Sequence, residues 1–172
     1  VRLAPGTDFI PLGSVADHDY DSHICFAAAH PVPLENETRI YYMAGDGPHY
    51  SPPYPSPEHR NSSFALASIR PDGYVAVVAT DSASGSGLSS PITATSGTLI
   101  VSADAAMSGG AVAIVVHSDA LPGGVVACGR LVGLNVTAHP LSGCDLSAAV
   151  GHPVTLAVEI DGAAALYTVG FA

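Results

Sequence analysis

Thr98-Leu99-Ile100-Val101-Ser102-Ala103-Asp104, then Ala111-Val112-Ala113-Ile114-Val115-Val116-His117, then Pro153-Val154-Thr155-Leu156-Ala157-Val158-Glu159-Ile160 decide the fold class. Leu99, Val101 and Ala103 alternate with Ile100 and Ser102. Val112, Ile114 and Val116, and Val154, Leu156, Val158 and Ile160, alternate with small or polar residues. A period of two puts one set of side chains on a buried sheet face and the other set on its opposite face. Working outward, strand-like runs recur every ten to fifteen residues, at 91–95, 98–104, 111–117, 124–127, 131–137, 153–160 and 164–171. Such spacing, with turn residues between, predicts an all-β chain whose residues 81–172 form an antiparallel, jelly-roll-like β-sandwich. The one helix candidate is a single turn over residues 145–149, capped by Asp145.

The first eighty residues read differently. Arg39-Ile40-Tyr41-Tyr42-Met43 is a strand, and a Pro-rich loop follows from Pro48 to Pro57. Residues 63–69 alternate, and Arg70-Pro71-Asp72-Gly73 predicts a hairpin turn returning through residues 74–78, because Pro presets one turn dihedral and Gly supplies the positive one. Ser- and Gly-rich residues 81–90 predict a boundary or long connection. The expected division is therefore a small sheet over residues 1–80 and the sandwich over 81–172. Dense punctuation by 18 Gly and 14 Pro suits short strands better than long helices.

Charge narrows the function classes. Five basic residues, all Arg, stand against 15 acids, for a net charge of −10. Phosphate backbones are held by clustered cations, so nucleic acid is not an expected partner. Anionic membrane surfaces are disfavoured for the same reason. No apolar run is long enough to span a bilayer. Three sequons, at Asn36, Asn61 and Asn135, fall at expected loops or strand edges. Three cysteines, Cys25, Cys128 and Cys144, allow three pairings with one thiol left over. Cys128 and Cys144 enclose a short loop in one half of the chain and are the favoured pair; Cys25 is then a buried thiol or a link to another chain. The absence of Lys, the sequons and the Cys usage together favour a secreted, extracellular glycoprotein, either processed from or cut out of something longer.

A family resemblance runs over nearly the whole chain. Arg39-Ile40-Tyr41-Tyr42 with Gly45 and Gly47-Pro48-His49 resembles the last blade of five-bladed β-propeller glycoside hydrolases of the fructosidase and arabinosidase type. Val1-Arg2-Leu3-Ala4-Pro5-Gly6, Phe9-Ile10-Pro11-Leu12-Gly13 and Tyr20-Asp21-Ser22 resemble the approach to that blade. Asp145-Leu146-Ser147, Gly151-His152-Pro153-Val154-Thr155-Leu156 and Ala165-Leu166-Tyr167 with Phe171 are similar to the β-sandwich that follows such propellers. The resemblance maps one channel-facing acid, Asp21, onto this chain. Glycoside hydrolysis uses two carboxyl groups, about 5–5.5 Å apart for retention or about 6.5–9.5 Å apart for inversion. A second would have to come from blades this chain does not contain, so no catalytic residue is assigned and the chain is read as a non-enzyme needing no cofactor.

Other constellations are weighed on their chemistry. Asp17, Asp19 and Asp21 alternate in the manner of a calcium loop, but Ser22 stands where the loop glycine belongs and Ala28 where the bidentate Glu belongs. The cluster is read as a solvated acidic loop or channel remnant. Tyr41, Tyr42, Tyr50 and Tyr54, with Tyr74, are candidate rings for stacking on sugars. Ser51-Pro52-Pro53-Tyr54-Pro55-Ser56-Pro57 predicts an extended polyproline II loop. It resembles the Ser-Pro repeats of hydroxyproline-rich wall glycoproteins, which makes Pro52, Pro53, Pro55 and Pro57 candidates for modification. The reading that results is a non-catalytic, self-assembling structural subunit of an extracellular fibre or coat, whose partners are copies of itself and covalent glycans. The alternative is a carbohydrate-binding module or a hydrolase fragment.

Overall fold

The alternating runs become strands in the computed structural model, which describes residues 8–50, 52–57, 59–80 and 83–172. Residues 1–6 of the family resemblance, Ser51 of the Pro-rich stretch and the first two residues of the expected 81–90 connection lie outside these. The chain is all-β, and its two compact units divide between Pro71 and Asp72.

In the N-terminal unit, β3 (Thr38–Gly45) is the central strand, and β4 (Ser62–Ile69) pairs with its whole length, from Thr38↔Ile69 to Gly45↔Ser62. The opposite edge of β3 is shared by two short strands, β1 (Ile24–Ala27) at its C-terminal half and β2 (Val32–Pro33) at its start. The alternation of β3 works as the period of two requires. Thr38, Ile40, Tyr42 and Ala44 are buried, whereas Arg39, Tyr41 and Met43 on the other face are more accessible.

The C-terminal unit is a sandwich of two antiparallel sheets. One has the order β11 (Asn135–Asp145), β8 (Thr98–Asp104), β13 (Ala165–Phe171), β5 (Val77–Val78). The other has the order β10 (Val125–Val132), β9 (Ala111–His117), β12 (Pro153–Asp161), β6 (Ser84–Leu88), with β7 (Ile92–Thr93) also on β12. The sheets thus hold four and five strands, and with the two-residue β7 set aside the remaining eight interleave in the jelly-roll order. Its core is the inward set that the sequence marks: Leu99, Val101 and Ala103 from β8, Val112, Ile114 and Val116 from β9, and Val154, Leu156 and Ile160 from β12. Ser102 is buried on β8, and its Oγ accepts a bond from the Ala138 amide at 2.9 Å, where β11 bulges. Cys128 on β10 and Cys144 on β11 form a disulfide, which ties an edge strand of one sheet to an edge strand of the other.

Three sequence expectations are corrected. The hairpin through Pro71-Asp72-Gly73 does not form: β4 spends its pairing on β3, while Val77 and Val78 pair with Leu166 and Ala165 of β13. The 81–90 stretch is not simply a connection, because residues 84–88 are β6, paired with residues 157–161 of β12. The Pro-rich loop is not extended polyproline II, which carries no internal hydrogen bonds. It turns back on itself through Ser56 N to Pro53 O and His59 N to Ser56 O. The helix candidate at 145–149 is a 3-10 turn over Ser147–Ala149, and Asp145 Oδ1 accepts both the amide and the hydroxyl of Ser147.

Candidate functional site

Gly45-Asp46-Gly47-Pro48-His49 continues out of β3 and is locked to the start of β4. A Cβ on Gly45 would meet Arg60 Cδ at 2.6 Å, and one on Gly47 would meet Arg60 Cβ at 3.1 Å, so the two glycines leave room for the arginine stem. The guanidinium donates to the carbonyls of Pro48 and His49 at 3.1 and 2.8 Å, and its Nε donates to Ser62 Oγ. Asp46 accepts from the Asn61 amide nitrogen at 2.7 Å and from Asn61 Nδ2 at 2.8 Å. The Asn61 side-chain bond is the main cause holding the Asp46 carboxyl below its ordinary range. This motif therefore frames the sheet.

The buried face of β3 carries a polar cluster. Tyr42 is 5% exposed; its hydroxyl donates to Asp21 Oδ2 at 3.1 Å and lies 3.1 Å from the Tyr20 hydroxyl. The bond to Tyr20, then burial and the bond to Asp21, push the Tyr42 phenol well above its usual titration range. Asp19 Oδ2 accepts from the Ser14 amide at 2.7 Å. Asp19 and Asp21 converge beside Gly13, where a Cβ would lie within 3 Å of both carboxylates. The acidic repeat thus spends two carboxylates on holding its own loop and Tyr42. Among the described residues, no three His, Cys, Asp or Glu side chains are grouped closely enough to hold a metal ion.

The opposite face of the sheet is apolar and open. Register places Phe26, Met43 and Phe64 in one row across β1, β3 and β4, and Tyr41 and Leu66 in the next row. Phe64 is 97% exposed, and Phe26, Tyr41 and Leu66 are each exposed by nearly half. The Phe26 ring meets the His49 ring edge to face at 5.7 Å. Arg39, bridged to Glu37 at 2.7 Å, and Ser62 and Ser68 edge the patch with polar groups. An apolar centre with a polar rim is the build of a protein interaction surface.

The remaining candidates scatter. Tyr42 cannot serve as a sugar platform, because burial and its hydrogen bonds occupy the ring and hydroxyl; β-strand alternation sends it to the face opposite Tyr41. Tyr50 and Tyr54 are 86% and 81% exposed on the 48–59 loop. Pro53, Pro55 and Pro57 are exposed and Pro52 half-buried. Asn36, Asn61 and Asn135 are all exposed, Asn36 at the tip of the turn between β2 and β3. Cys25 is a free, half-buried thiol whose pKa is raised by burial and by Asp21. Sequence reasoning named Tyr41 but missed Phe26, Phe64 and Leu66; the signal was present, since Phe64 and Leu66 hold the larger side of the alternation in 63–69. No family model, curated protein or solved structure matches the chain.

Proposed function

We propose that this is a non-catalytic, secreted glycoprotein that assembles with copies of itself through the open face of its N-terminal sheet. The observation that carries this reading is the row Phe26–Met43–Phe64 with Tyr41 and Leu66, which leaves aromatic and aliphatic side chains in water on an otherwise well-paired sheet. Single exposed apolar residues are ordinary, but a contiguous row across three strands marks a contact surface. The disulfide fits an oxidising compartment, and no helix among the described residues is long and apolar enough to cross a membrane. The resemblance to the last blade of a propeller glycoside hydrolase supports the same reading, since a blade packs its faces on neighbours.

Sedimentation of the native glycoprotein tests it. Assembly should be concentration-dependent and lost in Phe64→Glu, whose side chain is too exposed for the change to disturb the fold. A wild-type chain that stays monomeric at high concentration rejects the reading. Mass spectrometry after glycosidase treatment should show glycan at Asn36, Asn61 and Asn135; three unmodified asparagines in native material remove the secretory argument. A second reading, carbohydrate binding, is favoured by Tyr50 and Tyr54 on an exposed loop. Glycan-array binding abolished by Tyr50→Ala with Tyr54→Ala would support it.

A further inference from the structure

The two ends of the sandwich are built differently. At one end the disulfide ties β10 to β11. At the other end, between edge strands β5 and β6, the sheets enclose a cleft of about 510 Å³. Its walls include Leu156, Val158 and Ile160 of β12, Leu166 and Val169 of β13, and Val77 of β5. None of the described residues lining it ionises; Thr80 and Ser89 bring hydroxyls to it.

The cause of the cleft is legible in Ser84-Gly85-Ser86-Gly87-Leu88. Gly87 pairs with Val158 and Gly85 with Ile160, so both glycines stand on the inward face, where a jelly-roll strand ordinarily sends apolar side chains. Backbone conformation does not demand glycine at either position, since neither has a positive φ. Close packing does not demand it at Gly87 either: a Cβ there would meet nothing within 4 Å. Glycine inside a strand weakens it and marks places where something approaches the backbone closely. An unfilled apolar space also forfeits packing. The sequence gives up packing at one mouth of the core and keeps it at the other.

We infer that this mouth is a binding site for an uncharged, elongated apolar small molecule, of the class of alkyl chains, fatty alcohols or isoprenoids. The volume lies within the range of small-molecule pockets. Residues 156 to 160 extend for about 13 Å at ~3.3 Å per residue, which suits a linear occupant lying along the strands. The hydroxyls of Thr80 and Ser89 suit a neutral polar head. Apolar lining of this kind repels water and accepts hydrocarbon.

The test uses the full-length glycoprotein and the neutral fluorophore N-phenyl-1-naphthylamine, with 1-decanol as competitor. Fluorescence should rise saturably to one probe per chain and fall as decanol displaces it. Gly87→Leu fills the cleft and should weaken binding at least tenfold while leaving the thermal midpoint unchanged or raised. Decanol should also shift the methyl resonances of Leu156, Val158 and Val169 in the wild-type chain, a readout that does not depend on the variant folding. Absence of saturable binding, unchanged affinity in folded Gly87→Leu, or methyl shifts confined to residues outside the cleft overturns the assignment. So does a wild-type dimer that admits the probe only after dissociation, which would make the occupant a strand of a second copy.

Discussion

Tyr42 shows how one side chain can be a structural anchor where a sequence suggests a ligand contact. Its phenol is buried between Tyr20 and Asp21, with the hydroxyl bonded to both. Burial of a hydroxyl is tolerated because those bonds replace water. Tyr42→Phe should therefore cost about 1.5–3 kcal/mol in denaturant unfolding, the range for a lost bond to a charged acceptor. The folded-state pKa lies above the ordinary value. The neutral phenol's contribution is accordingly complete below the unfolded pKa of about 10 and is lost as pH rises from there toward the folded value. The stability difference between wild type and Tyr42→Phe should be flat from pH 7 to about 9.5 and shrink above it; a difference that grows with alkaline pH would contradict the hydrogen-bond assignment. Tyr41-Tyr42 alone could not reveal this, because alternation fixes that the two rings face opposite ways but not which face is covered. The covering groups, Tyr20 and Asp21, lie more than twenty residues away.

At the scale of elements, the sandwich strands were legible and their partners were not. The expected runs at 98–104 and 111–117 coincide with β8 and β9, because apolar alternation is a local property. The hairpin expected at Pro71-Asp72-Gly73 failed because strand pairing is not local: eight register positions on β3 hold β4, and β13 takes Val77 and Val78. β6 was missed because Ser-Gly alternation carries no apolar signal, although it occupies a sheet edge. The disulfide was reachable from loop length alone, and its consequence appears only in the topology, where it joins the two sheets. Cross-linking over 16 residues restrains the unfolded chain by about 3 kcal/mol. Cys128→Ala with Cys144→Ala should lower unfolding stability by roughly that amount, the pair leaving no stray thiol between the sheets. A loss of less than about 1 kcal/mol would show that the sheets are held by Leu99, Val101 and Ile114 without needing the staple.

For the whole molecule, the opposition between a local apolar patch and a net charge of −10 sets how the proposed assembly should respond to its surroundings. Copies approach one another as like-charged bodies, with five arginines and no lysines to offset 15 acids. Arg39 and Arg130 are ion-paired within the chain, with Glu37 and Asp161. Repulsion between exposed charges extends over a Debye length, about 30 Å at 0.01 M salt and about 8 Å at 0.15 M. Contact through Phe26, Tyr41, Phe64 and Leu66 involves no charge of its own and is insensitive to this screening, so salt acts on the repulsion alone. Association should therefore strengthen as ionic strength rises across that interval, and strengthen again as pH falls from 7 toward the pI of about 4.9. Sedimentation equilibrium at several salt concentrations measures the slope directly. Assembly that weakens with added salt would mean that ion pairs, not the apolar face, hold the copies together, and the Phe64 row would lose its role as the interface.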